Sequence, residues 1–161
     1  MKIIDNYFDA NLVTDITKTI LRSDFPWYYL PAVADKNEVE SLHNFYYVHS
    51  VYSKFKPNSQ LFEDFFLPIV EQLGVKSLIR IKINMYPKTD FVYEHGEHTD
   101  YDFKHNGCIL YLNSCDGYTK IGKSIVNSVE NRLVLFDPSL PHNSSTCTNS
   151  RFRLTVNFNY F

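Results

Sequence analysis

The sequence predicts an α+β protein in which a β-sandwich or jelly-roll barrel is buttressed by N-terminal helices. Two textures of the chain carry that prediction. Before Gly74, apolar residues recur at helical spacing; after it, short alternating segments follow one another between turn clusters. A length of 161 residues suits a single domain, 1–161, able to bury one substantial core. Within it, 1–76 reads as supporting helices and strands and 77–161 as the strand-rich core.

Taken in order, Leu12, Ile16 and Ile20 stand at i, i+4 and i+8 and predict a helix over about 10–22. The aromatic runs Phe25 to Leu30 and Phe45 to Val48 read as strands. Ser59 is placed to cap a second helix that carries Leu61, Phe65, Ile69 and Leu73 and stops at Gly74. Pro68 interrupts that helix, since it lacks a backbone donor. Ser77 to Tyr86 alternates, with Ile79, Ile81, Ile83 and Met85 on one face and Arg80, Lys82, Asn84 and Tyr86 on the other. Further strands are predicted at about 91–100, 107–113, 124–128, 131–136 and 151–160, separated by turns such as Asn113 to Gly117.

Composition narrows the function. Sixteen basic against eighteen acidic residues give a net charge of −2, which argues against nucleic acid as an indiscriminate partner. Three cysteines without CxxC spacing argue against a disulfide scaffold or a Cys-based zinc site and read as small buried thiols of a reducing compartment. Met1 to Ala10 lacks the charged start and apolar run of a signal peptide, and no stretch reaches the roughly 18 apolar residues of a membrane span. A soluble cytoplasmic protein with no membrane partner is expected. The aromatic content, 13 Phe, 12 Tyr and 1 Trp against 5 Gly, is unusually high.

The chemical signal lies in the second half. His98-Thr99-Asp100 puts an imidazole and a carboxylate at i and i+2, which project to one side of a strand and can share an ion. His142, after the apolar run Leu133 to Phe136 and the turn Asp137 to Pro141, can supply a third ligand. Two histidines and one carboxylate with open positions form the facial triad of non-haem Fe(II) oxygenases. His95-Gly96-Glu97 offers a competing H-x-E, and Asp102 competes with Asp100, so spacing alone leaves the set open. Near the C-terminus, Arg151, Arg153, Thr155 and Asn157 share one face of an alternating strand. Arginines facing a barrel interior need anions to meet them, and a dicarboxylate suits a guanidinium fork; an edge strand with its polar face in water is the other reading.

Together these segments resemble, in order, the Fe(II)/2-oxoglutarate-dependent dioxygenase superfamily, nearest its prolyl-hydroxylase-like branch. The resemblance runs from about Leu78 to Phe161. Met85-Tyr86-Pro87 resembles the strand end before the metal motif, His98-x-Asp100 the proximal metal pair, and Ile109 to Asn113 the following Y-L-N strand. Gly117-Tyr118-Thr119 resembles the family's glycine turn, with Tyr118 where a second glycine is usual. Asn131 to Phe136 resembles the strand before the distal histidine, His142. Arg151 lies nine residues beyond His142, the spacing of the branch's co-substrate arginine, while a second inward-facing Arg153 departs from the pattern. The compact C-terminal half also looks like that of small phage-encoded members.

The resemblance implies a double-stranded β-helix (jelly-roll) core with Fe(II) held by His98, Asp100 and His142. It implies 2-oxoglutarate and dioxygen as co-substrates, the far carboxylate of 2-oxoglutarate meeting Arg151 with help from Tyr111, Tyr86 and Thr155. The matched order favours His98/Asp100/His142 over His95 and Glu97, which fall to an entrance loop. The implied reaction is hydroxylation of a peptidyl residue or a small molecule. A non-catalytic jelly-roll that binds metal or ligand is the rival reading. A nucleic-acid demethylase is demoted, because Arg153 and Asn157 stand where that branch has Asn and Arg.

Overall fold

Helix formation follows the apolar spacing of the first half. In the computed structural model, which describes residues 1–34 and 42–161, α1 spans Ala10–Ile20 and buries Val13, Ile16 and Ile20. The Asp9 carboxylate caps it, accepting from the N–H groups of Asn11 and Leu12. The second helix departs from the expected continuous one. A π-helical turn, Phe62–Phe66, runs into α2, Leu67–Gln72. Pro68 thus falls in the first turn of α2, where its missing donor costs little, and the wider turn before it absorbs the break. Gly74 then takes φ +66°, the left-handed conformation that ends helices.

The strands are β1 (Lys2–Ile4), β2 (Tyr28–Leu30), β3 (Tyr46–Ser53), β4 (Lys56–Pro57), β5 (Leu78–Pro87), β6 (Asn106–Tyr111), β7 (Tyr118–Ile121), β8 (Ser124–Asn127), β9 (Leu133–Phe136), β10 (His142–Ser144) and β11 (Phe152–Tyr160). The larger sheet runs β1-β9-β6-β11-β5-β3-β2, with β4 attached to β3; the smaller runs β10-β7-β8. Both are antiparallel and form the expected jelly-roll core. No helix among the described residues is long and apolar enough to cross a membrane.

One expected strand, 91–100, is not regular. It runs along β10 with isolated bridges at Glu94–Ser145 and His98–His142. Four residue steps separate the bridges on one side and three on the other, so an extra residue breaks the ladder as a bulge does. His98 and His142 nevertheless exchange reciprocal backbone hydrogen bonds of 2.9 Å. The bulge therefore leaves two candidate ligands side by side.

The two faces of the large sheet are used unconventionally. Its apolar face, including Ile81, Ile83, Leu154, Val156 and Phe158, packs against Ile16, Ile20, Phe66 and Ile69 from the helices. This is the main core, and it lies outside the barrel. The polar alternates, Lys82 and Tyr86 on β5 and Arg153, Thr155 and Asn157 on β11, line a pocket inside it. The helices thus cover what a two-layer sandwich would bury between its sheets, and the space between the sheets is free to be polar.

Candidate active site

Three elements bring His98, Asp100 and His142 together: the bulged segment, the turn after it, and β10. One ligand atom from each lies within 4.8 Å of the others. The His142 Nδ1 hydrogen bonds to the Leu140 carbonyl at 2.9 Å, and the His98 Nδ1 faces the Gly96 carbonyl at 3.4 Å. Donation from Nδ1 leaves Nε2 as the free lone pair on each ring. The Nε2 of His142 is buried and has no hydrogen-bond partner. Burial, then the neighbouring His142, pushes the His98 imidazole down to about 4, which keeps it neutral.

Burial alone would raise the pKa of Asp100, but the Arg80 guanidinium and Asn159 hold it well below the usual carboxylate range. Arg80 Nη2 meets Oδ1 at 2.7 Å, and Asn159 donates to Oδ2 at 2.8 Å. Asn159 is itself fixed by Arg80, which donates to its Oδ1 at 3.1 Å, and it contacts His105 Nε2 at 3.0 Å. Each carboxylate oxygen keeps a lone pair for a metal. Two imidazoles, one anchored carboxylate and an orphaned buried nitrogen are the donor set a divalent iron site requires, so the residues fit that ion.

Across the pocket, the structure separates the two arginines of the expected last strand. Arg151 precedes β11 and is exposed, whereas Arg153 is fully buried. Register explains the difference. Arg153 pairs with Tyr86, but Phe152 already pairs with Pro87, the last residue of β5, so Arg151 lies beyond the ladder. Arg153 donates from Nε to Ser128 Oγ at 2.6 Å, from Nη2 to Thr119 Oγ1 at 2.7 Å and from Nη1 to the Ser145 carbonyl at 3.3 Å. Its guanidinium carbon lies 5.2 Å from the Tyr86 ring centre and 5.4 Å from that of Tyr111. Among the described residues, Arg153 forms no ion pair with a carboxylate within 4.0 Å.

Tyr86 and Thr155 line the pocket. Tyr111 sits elsewhere: fully buried, with its hydroxyl directed at the Val126 carbonyl at 3.5 Å, it packs beside the guanidinium. Burial raises both phenols above their ordinary value against the pull of Arg153, so they stay neutral donors. His95 is buried against Tyr86 with Nδ1 2.9 Å from Ser144 Oγ, and burial pushes it down to about 3; it is no solvated entrance residue. Glu97 is exposed. Sequence reasoning also passed over Lys82, Arg80 and Asn159, although all three stood on polar alternates of recognised strands.

The Gly117 turn serves this arginine. A Cβ at Gly117 would come within 2.5 Å of the Thr146 carbonyl oxygen and 2.7 Å of Arg153 Cδ. Gly117→Ala is therefore expected to cost about 1–3 kcal/mol of overpacking, or a Tm roughly 3–10 °C lower. An unchanged melting curve would count against the tight approach.

No family model matches the chain, and no curated protein matches it in sequence. Solved structures do match in shape. An oxidoreductase of the 2OG-Fe(II) oxygenase family from Burkholderia pseudomallei superposes with a TM-score of 0.69 at 14% identity, covering 98% of this chain and 83% of that one. This chain therefore has the fold of the 2-oxoglutarate- and Fe(II)-dependent oxygenases. The likeness extends to prolyl hydroxylases. A Pseudomonas putida prolyl-4-hydroxylase gives 0.66 at 16% identity over 99% and 91% of the two chains. A Trichoplax adhaerens prolyl hydroxylase, in complex with a hypoxia inducible factor peptide fragment, gives 0.70 at 14% over 99% and 82%.

Proposed function

We propose that the protein is an Fe(II)- and 2-oxoglutarate-dependent oxygenase that hydroxylates an unactivated C–H bond. The observation that carries this reading is the buried Arg153 guanidinium, with no carboxylate partner among the described residues, in one pocket with His98 and His142. A structural arginine would have its counter-charge built in; this one has hydroxyls, a carbonyl and aromatic faces.

In this reading His98, Asp100 and His142 hold Fe(II). Bound there, the iron supplies the redox chemistry that couples decarboxylation of 2-oxoglutarate to oxidation of the substrate. Arg153 receives the far carboxylate of 2-oxoglutarate through its remaining N–H groups, and Thr155 and Tyr86 offer hydroxyls beside it. Ser128 and Thr119 fix the guanidinium before the co-substrate arrives, so little ordering remains to be done on binding. Arg80 and Asn159 set the orientation of Asp100. Ile109, Tyr46 and Tyr86 give the pocket apolar and aromatic walls that limit water around the reacting groups.

The shared fold with prolyl hydroxylases, one of them in complex with a peptide, supports a peptidyl substrate; a small molecule fits the same chemistry. The net charge of −2 weighs against nucleic acid. The test is succinate formation by protein supplied with Fe(II), 2-oxoglutarate and air. Succinate is expected in step with 2-oxoglutarate consumed. Absence of turnover together with absence of Fe(II) and 2-oxoglutarate binding would overturn the reading in favour of a non-catalytic jelly-roll.

A further inference from the structure

The pocket holds one more cation than the co-substrate can use. Along the paired strands β5 and β11, the rungs facing the pocket are Tyr86–Arg153, Asn84–Thr155, Lys82–Asn157 and Arg80–Asn159. Arg80, at one end, is neutralised by Asp100 at 2.7 Å. Arg153, at the other, is the seat of the far carboxylate of 2-oxoglutarate, whose second carboxylate goes to the metal. Lys82 lies between them, four residues from Tyr86 along β5, which is roughly 13 Å of strand. Among the described residues its ammonium has one hydrogen bond, to the Tyr46 hydroxyl at 3.3 Å, and lies 5.4 Å from the centre of that ring. No carboxylate lies within 4.0 Å of it among the described residues. Burial, then repulsion from Arg80, pushes it down to about 8.

Lys82 is half-buried and keeps part of its hydration, and an anion seated in the pocket replaces what burial removes. The far carboxylate of 2-oxoglutarate meets Arg153, its other carboxylate meets the metal, and Asp100 meets Arg80, so Lys82 alone among these cationic side chains lacks a counter-ion. We infer that Lys82 receives a carboxylate of the primary substrate, which makes the substrate a carboxylic acid, either a free small molecule or an acidic residue of a peptide. The inference rests on the Fe(II)/2-oxoglutarate reading above. Tyr46 and Tyr86, stacked at 5.5 Å with ring planes 8° apart, wall the route between Lys82 and Arg153. The substrate body lies on that wall, with its carboxylate held by Lys82 and its reacting carbon toward His98 and His142.

The experiment uses Mn(II) in place of Fe(II), saturating 2-oxoglutarate, and acetate as the probe carboxylate. Paramagnetic relaxation of the acetate methyl protons reports their approach to the metal. Wild-type protein is expected to relax acetate strongly and acetamide little. Lys82→Met is expected to lower the acetate effect at least fivefold while holding 2-oxoglutarate affinity within twofold, and Lys82→Arg to restore most of it. Displacement of acetate by free amino acids assigns a small-molecule source, and displacement by a blocked aspartyl peptide assigns a peptidyl one. Displacement by neither, or an acetate effect unchanged in Lys82→Met, overturns the inference. A Lys82→Met protein that loses 2-oxoglutarate overturns it too, by assigning the lysine to the co-substrate. Wild-type protein that binds neither Mn(II) nor 2-oxoglutarate sinks the parent reading instead.

Discussion

Arg153→Met is expected to weaken 2-oxoglutarate binding by about two to three orders of magnitude, and Arg151→Met to leave it near wild type. Truncating one partner of a buried, hydrogen-bonded charge pair costs about 2–5 kcal/mol, much of it from leaving the other charge unpaired. Methionine fills most of the volume and adds no charge, so the pocket keeps its shape. The metal ligands are spared, because Arg153 stands opposite Tyr86, three pocket-facing rungs from the Asn159 that steadies Asp100. Arg153→Lys should fall between the two. A lysine keeps the charge but cannot reproduce three directed bonds to Ser128, Thr119 and the Ser145 carbonyl. Calorimetric titration of 2-oxoglutarate into Mn(II)-loaded protein separates these outcomes. Equal losses in Arg151→Met and Arg153→Met would remove the basis for choosing between them.

That choice shows how far the sequence could be read. Alternation on Ser77 to Tyr86 and Arg151 to Phe158 was legible, and both apolar faces pack as the period-two pattern requires. Which arginine enters the pocket was not, because Arg151 and Arg153 have the same parity and a count of nine from His142 favours the first. Parity assigns a face; only antiparallel register assigns a rung, and register is a property of two strands at once. The relevant signal was Tyr86: the residue opposite it on β11 shares its face of the sheet, and Pro87 ends the ladder one step later. The clustering of His98, Asp100 and His142 was legible because His98-x-Asp100 is local and His142 follows a recognisable strand. The irregular course of 91–100 was not, since its single extra residue is defined against β10, a strand only three residues long. The polar lining was visible as a pattern, but its direction stayed open between a barrel interior and a solvent-facing edge. Lys82, Asn157 and Asn159 look like a solvent face until the helices are found covering the other side.

His142→Ala is expected to abolish turnover and to cancel the stabilisation that the metal confers. A ligand at one hundred times its dissociation constant adds about 2.7 kcal/mol to stability, or roughly 5–10 °C in Tm for a chain of this size. Wild-type protein should therefore melt that much higher with saturating Mn(II), and His142→Ala should melt at one temperature with or without it. The variant itself should fold. His142 Nε2 is a buried nitrogen with no partner, and its ring lies 4.6 Å from that of His98, so removing it in the metal-free protein forfeits no bond from that atom. What is lost is the Nδ1 contact to the Leu140 carbonyl and some packing against Phe136. Glu97→Ala supplies the matching control. The H-x-E pair His95/Glu97 rivals His98/Asp100 in sequence, but Glu97 is exposed and His95 is turned onto Ser144, so this variant should keep the full metal-dependent shift. A shift that survives in His142→Ala and vanishes in Glu97→Ala would move the metal out of the pocket that Arg153 shares, and the co-substrate reading would go with it.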